Sequence, residues 1–203
     1  VTADTGFDVI THALEAYVST SANAFSDALA EKALSLAFEY LPTAYKDGAD
    51  LKARDMMHTA SCLAGMAFNE VSLGVNHGIA HGLGAKFHIP HGRANAMLLP
   101  LVIEYNADLK SIFSKGESRA AKRYAEVARK IGLSVNSLIY LLKDMLRATN
   151  IPLTLREAKV SREDALKMKD AIVESALKDP CTATNPRPCT AEEIAEIYDK
   201  LIG

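Results

Sequence analysis

Leu73–Asn95, LGVNHGIAHGLGAKFHIPHGRAN, is the stretch on which the reading of this chain turns. It holds four of the six histidines, His77, His81, His88 and His91, with five glycines and Pro90 among them. Neutral imidazole is the commonest protein ligand for transition metals, so this density points to a metal. His77 and His81 are four apart and would share a helix face, with Cβ atoms about 5–6 Å apart. His77 and His91 are fourteen apart, which is roughly 21 Å along one straight helix. Metal–nitrogen bonds are about 2.0–2.1 Å long, so both can reach one ion only if the helix breaks and the chain folds back. Gly82, Gly84 and Pro90 are placed to allow the break. Pro90 cannot stand in a helix interior and biases Ile89 toward an extended conformation, so His91 is expected to open a new helix that runs from about Gly92 to Tyr105, with a kink at Pro100.

Working upstream, Phe7, Ile10, Leu14, Tyr17 and Val18 recur at three- and four-residue steps and predict a helix over Asp8–Val18. Asp8 and His12 then lie one turn apart on one face. They form either half of a metal site or an N-terminal acid favoured by the helix dipole with a buried histidine after it. Ser26 or Asp27 can cap a second helix reaching Tyr45, bent near its end by Pro42. Asp50 starts a third, LKARDMMHTASCLAGMAFNEVS, apolar nearly all round after Met56 and so expected to be deeply buried, with Cys62 in the core and His58 structural or partly exposed. Downstream, Ser118–Ile131 is an amphipathic helix ended by Gly132. Ser134, Ser161 and Thr190 start three more, and Pro180–Pro188 reads as a loop. No alternating strand pattern longer than four residues appears. The expected fold is all-α, with about eight or nine helices.

Composition narrows the function classes. Hydrophobic residues make up 49% and charged residues 24%, as in an ordinary globular domain. A net charge of −2 without blocks of like charge argues against nucleic acid or an anionic membrane as the main partner. No apolar run reaches the ~18 residues of a spanning helix. The three cysteines, Cys62, Cys181 and Cys189, lack C-x-x-C spacing and suit reduced thiols in a cytoplasmic protein. Neither G-x-G-x-x-G after a strand nor a P-loop is present, so no dinucleotide site is visible. The H-E-x-x-H pattern of a zinc hydrolase is absent as well. VTADTGFDVITHALEAY opens without Met and enters a helix almost at once, so the chain is expected to be part of something longer.

Taken together, GFDVITHALEAY, AFNEVSLGVNHGIAHGLGAKFHIPHGRANAMLLP and the tail CTATNPRPCTAEEI resemble the group III, iron-containing alcohol dehydrogenase family. The likeness covers nearly the whole chain. It implies the all-helical C-terminal domain of the dehydroquinate synthase-like fold as residues 1–203, with the α/β domain that binds NAD or NADP lying outside them. It implies Asp8, His12, His77 and His91 as metal ligands, overruling the His77–His81 pair that spacing favours. Around a divalent ion, Fe(II) or Zn(II), that set leaves a charge of about +1. His81 matches a further motif histidine near nicotinamide and substrate, and is expected to shuttle the proton or orient the nicotinamide. Phe68 matches an aromatic position close to the nicotinamide, and His88 falls at a variable position. The implied activity is interconversion of short primary alcohols and aldehydes through a metal-bound alkoxide, in a full-length homo-oligomer. The chain by itself is expected to be inactive, because the hydride acceptor is bound elsewhere. The alternative is a helical metal-binding or interaction domain without catalysis.

Overall fold

The helix that carries Asp8 and His12 is the most enclosed of the fold. In the computed structural model, which describes residues 1–108 and 118–203, α1 spans Thr2–Val18, starting a turn and a half before the apolar periodicity begins. Phe7, Ile10, Ala13, Leu14 and Ala16 are wholly buried, and only Thr2, Asp4, Thr5, Asp8 and His12 escape burial along its length. It packs on α2 (Ala24–Lys46), α3 (Leu51–Val71) and α5 (His91–Asn106). The second helix starts earlier than Ser26 because Asn23 caps it, its Oδ1 accepting from the Phe25 and Ser26 amides while Ser26 Oγ accepts from the Asn23 amide. Pro42 is accommodated inside α2, which continues to Lys46.

The third helix corrects its expected burial. Only Ala53, Ala60, Ala64, Ala67 and Val71 are buried, while Cys62, His58 and Met66 are exposed. The physical reason is that an apolar composition does not tell which face is covered. Here a stripe of small residues lets α3 lie close on α1 and α2, while Met56, Met57, Leu63 and Phe68 are only partly covered against the core and Met66 stands outside.

The histidine-rich stretch does fold back, but not at its glycines. α4 runs Val75–Phe87 straight through Gly82 and Gly84, supported by packing on α8 (Arg162–Lys178) and α5. The turn is made by His88 in a left-handed conformation (φ 54°), then Ile89, with Pro90 as the cap of α5. The start of α4 has no cap of its own. Its free amides are taken by side chains from far away in sequence: Glu15 Oε1 accepts from Asn76 N at 2.9 Å, and Asn185 Oδ1 accepts from Val75 N at 3.2 Å. Gly74 is required at this point, because a Cβ there would lie 2.7 Å from both of those oxygens.

α6 (Arg119–Lys130) and α7 (Val135–Ala148) follow their serine caps, and α9 (Ala191–Ile202) starts in a capping box between Thr190 and Glu193. Within the expected loop, Pro180–Thr184 forms a short 3-10 turn. Behind it Asn185 joins the tail to the core, its Nδ2 donating to Asn106 Oδ1 at 2.8 Å. Among the described residues there are nine α-helices and no strand.

Candidate metal centre

Three elements meet at one point. Asp8 and His12 project from α1, His77 from the first turn of α4, and His91 from the first position of α5. One ligand atom from each of the four lies within 4.8 Å of the others. Asp8 Oδ1 is 3.8 Å from His77 Nε2 and 3.6 Å from His91 Nε2. The His12 ring stacks on His77 with centroids 4.7 Å apart, and His77 stands 5.2 Å from His91 at 50°. Two metal bonds of about 2.1 Å span up to about 4.2 Å, so the spacings from Asp8 Oδ1 fit one ion. One carboxylate with three imidazoles is also a donor set that suits a first-row divalent metal. The site is closed at the back, where the His77 side chain is 2% exposed, and open at the front, where that of His91 is 44% exposed.

The electrostatics keep two of the imidazoles neutral. Burial lowers His12 to about 4, against the raising influence of Asp8, and lowers His77 to about 3. A neutral imidazole has the free lone pair that ligation needs.

The other sequence candidates fall in three places. His81 lies one turn beyond His77, its ring 5.4 Å from His91 and stacked on it, but its Nδ1 faces Asp179 Oδ2 at 2.7 Å. Although burial acts to raise it, Asp179 is held below the usual carboxylate range by His81 and by the Cys181 amide. Phe68 is half-buried and stacks on His12 at 4.5 Å. His88 is exposed at the turn and outside the cluster.

Sequence reasoning passed over four residues that the site uses. Glu15 follows Asp8 and His12 on the same helix face and is 2% exposed; its Oε2 faces His77 Nδ1. Burial pushes its carboxyl up to about 8, against the lowering influence of the Asn76 and His77 amides. Its seven-residue step from Asp8 was the available signal. Asn95, one turn after His91, directs Nδ2 at Asp8 Oδ1, His77 Nε2 and His91 Nε2 (2.8, 2.9 and 3.1 Å). Asn76 Nδ2 donates to the Asn95 backbone carbonyl at 3.2 Å and to its Oδ1 at 3.0 Å, leaving Asn76 Oδ1 buried without a partner. Asp179 is 98 residues from His81 and gave no local signal.

An all-helical domain that brings one carboxylate and three imidazoles from three helices together in this way could hold a single metal ion. Residues 2–202 match the Fe-containing alcohol dehydrogenase family, C-terminal, and the chain belongs to that family. It is 46% identical to the 1-propanol dehydrogenase PduQ of Salmonella typhimurium over all of this chain and 55% of that protein. It is 41% identical to the NADPH-dependent butanol dehydrogenase of Clostridium saccharobutylicum, over 98% of this chain and 50% of that one. Among solved structures, the iron-containing alcohol dehydrogenase of Thermococcus thioreducens superposes with a TM-score of 0.87 at 35% identity, over 99% of this chain and 50% of that chain. The chain thus spans about half the length of these relatives.

Proposed function

We propose that this chain is the metal- and substrate-binding half of an NAD(P)-dependent alcohol dehydrogenase that interconverts short primary alcohols and aldehydes. The observation that carries the reading is the meeting of Asp8, His12, His77 and His91 ligand atoms within 4.8 Å. The propanol and butanol dehydrogenases among the relatives support the substrate class. Those four residues would hold Fe(II) or Zn(II), which when bound supplies Lewis acidity toward an alcohol or carbonyl oxygen.

The remaining chemistry belongs to the chain's own side chains. His81 is anchored through Nδ1 on Asp179, which leaves Nε2 to take the alcohol's proton and, in reduction, to return it. Phe68 and the half-exposed rings of His81 and His91 offer a flat, partly apolar wall for a nicotinamide bound by another domain. No dinucleotide-binding turn lies in these residues, so the chain alone is expected to show little turnover with NAD(P)H and a short aldehyde. Among the described residues no helix is long and apolar enough to cross a membrane.

Metal analysis of the purified chain tests the reading. One equivalent of Fe(II) or Zn(II) is expected, lost in His77→Ala and in His91→Ala and kept in His88→Ala. A requirement for His88, or binding that survives both other substitutions, would refute the ligand set. In the intact enzyme, a His81→Ala variant with full kcat at every pH would remove His81 from the proton path.

A further inference from the structure

We infer that Glu15 is the positioning carboxylate of the metal centre: with the Asn76–Asn95 pair, it fixes His77 as the Nδ1–H tautomer, so that the Nε2 lone pair faces Asp8 and His91. The inference rests on the metal-binding reading above and concerns which atom of His77 is offered to the ion.

The tautomer is set from both sides of the ring. A neutral imidazole has one N–H and one lone pair. On the Nδ1 side stands Glu15 Oε2, which accepts once Nδ1 carries the hydrogen. Its other oxygen accepts the Asn76 amide at 2.9 Å, so the carboxylate is tied at both ends to the first turn of α4 and cannot rotate away. On the Nε2 side stands Asn95 Nδ2 at 2.9 Å, and an amide nitrogen only donates.

The orientation of that amide follows from the backbone. The Asn95 carbonyl cannot be exchanged for a donor, and the Asn76 side-chain atom 3.2 Å from it is therefore the nitrogen. The same nitrogen lies 3.0 Å from the Asn95 side-chain oxygen, which fixes the Asn95 amide and aims its nitrogen at His77 Nε2. The Asn95 amide thus requires a lone pair on Nε2, which puts the hydrogen on Nδ1, where Glu15 Oε2 accepts it. The unpartnered Asn76 Oδ1 is what remains when this orientation is imposed. A carboxylate behind a metal-binding histidine raises its basicity and holds its ring, and loss of such a partner typically weakens metal binding about 10–100-fold.

Glu15→Gln separates the role from simple packing. It keeps the shape, but once its carbonyl accepts the Asn76 amide, its NH2 faces Nδ1, and donors then meet both ring nitrogens. Nitrogen-15 spectra of the metal-free full chain are expected to show His77 protonated on Nδ1 and unprotonated on Nε2, with this single form lost in Glu15→Gln, where neither tautomer satisfies both neighbours. Competition against a chromophoric chelator is expected to show zinc binding weakened about 10–100-fold in Glu15→Gln and recovering toward native in Glu15→Asp, which restores an acceptor. Native His77 protonated on Nε2 would overturn the inference, even if Glu15→Gln failed to fold. Zinc binding equal in native and Glu15→Gln chains would overturn it while leaving the metal centre standing. A folded native chain that binds no zinc would overturn the metal reading and this inference with it.

Discussion

Replacing Gly92 by alanine tests whether the crossing of α1 and α5 sets the spacing of the metal centre. Gly92 follows His91 and lies against the first turns of α1. A Cβ there would stand 2.2 Å from the Asp4 carbonyl oxygen, 2.7 Å from its carbon and 3.1 Å from Asp8 Cβ. A carbon–oxygen contact of about 3.3 Å is close to the normal minimum, so the two backbones must separate by about 1 Å. Overpacking of this kind costs about 1–3 kcal/mol. The obstacle is backbone, which puts the cost at the upper end. Alanine's better helix propensity returns at most about 1 kcal/mol. A net loss of about 2 kcal/mol lowers Tm by about 4–8 °C in a chain of this size. The second effect is sharper. Asp8 Oδ1 and His91 Nε2 are 3.6 Å apart, and a further ~1 Å takes them past the about 4.2 Å that two metal bonds can span. Zinc affinity is therefore expected to fall at least about tenfold, in line with the sensitivity of metal sites to ligand placement. Circular dichroism melts of the metal-free chain and chelator competition read the two effects separately. Gly65→Ala, where a Cβ would meet nothing within 4 Å in mid-helix, is the control and should gain about 0.5–1 kcal/mol. A Gly92→Ala chain with native Tm and native zinc affinity would refute the reasoning.

Three further outcomes follow from other parts of the fold. Arg123 stacks 3.9 Å over the Tyr17 ring, donates to the Tyr17 carbonyl and pairs with Asp27, with 16% of its side chain exposed. Its replacement by Met should cost about 2 kcal/mol in urea unfolding, below the about 3–5 of a fully buried pair; full stability in Arg123→Lys would show that the fork geometry is irrelevant. Asn185→Ala should cost about 2–4 kcal/mol by leaving Val75 N and the Asn106 amide without their partner, and a loss under 1 kcal/mol would remove Asn185 from its structural role. Glu193, although burial acts to raise it, is held below its ordinary range by the Thr190 amide, the Tyr105 hydroxyl and Arg187. A depressed carboxylate stabilises above its unfolded pKa, and that stabilisation is lost as pH falls through the folded one. Glu193→Gln should therefore destabilise at pH 7 by about 1–3 kcal/mol and cost progressively less below about pH 4.5; a penalty constant with pH would contradict this.

Helix type and most boundaries could be read locally, because capping and period-3.6 burial are local signals. Ser118, Ser134, Ser161 and Thr190 all accept from the amide three residues on, as their sequence contexts indicate. The misreadings share a different cause. The burial of Cys62, the first turns of α1 and the continuity of α4 through Gly82 and Gly84 are all decided by what packs against them, and no window of sequence contains that neighbour. The candidate site divides in the same way. The excess of histidine was plain, but spacing alone pointed to His77 with His81. The gathering of His77 with His91, Asp8 and His12 came into view only through the family likeness. Glu15 and Asn95 repeat the helical steps of Asp8 and His91 and could have been suspected. Asp179 meets His81 across 98 residues and could not.

The first turn of α4 can form stably only after distant segments have come home, since two of its open amides are closed from 61 and 110 residues away. Long loops are closed late and at entropic cost. A half-folded chain is therefore expected to have its local helices but not the ring of His77 in place, so that a metal would be captured after collapse and would not direct it. Hydrogen exchange at the Val75 and Asn76 amides should accordingly proceed only through whole-molecule opening, making these two protons reporters of when the centre becomes competent.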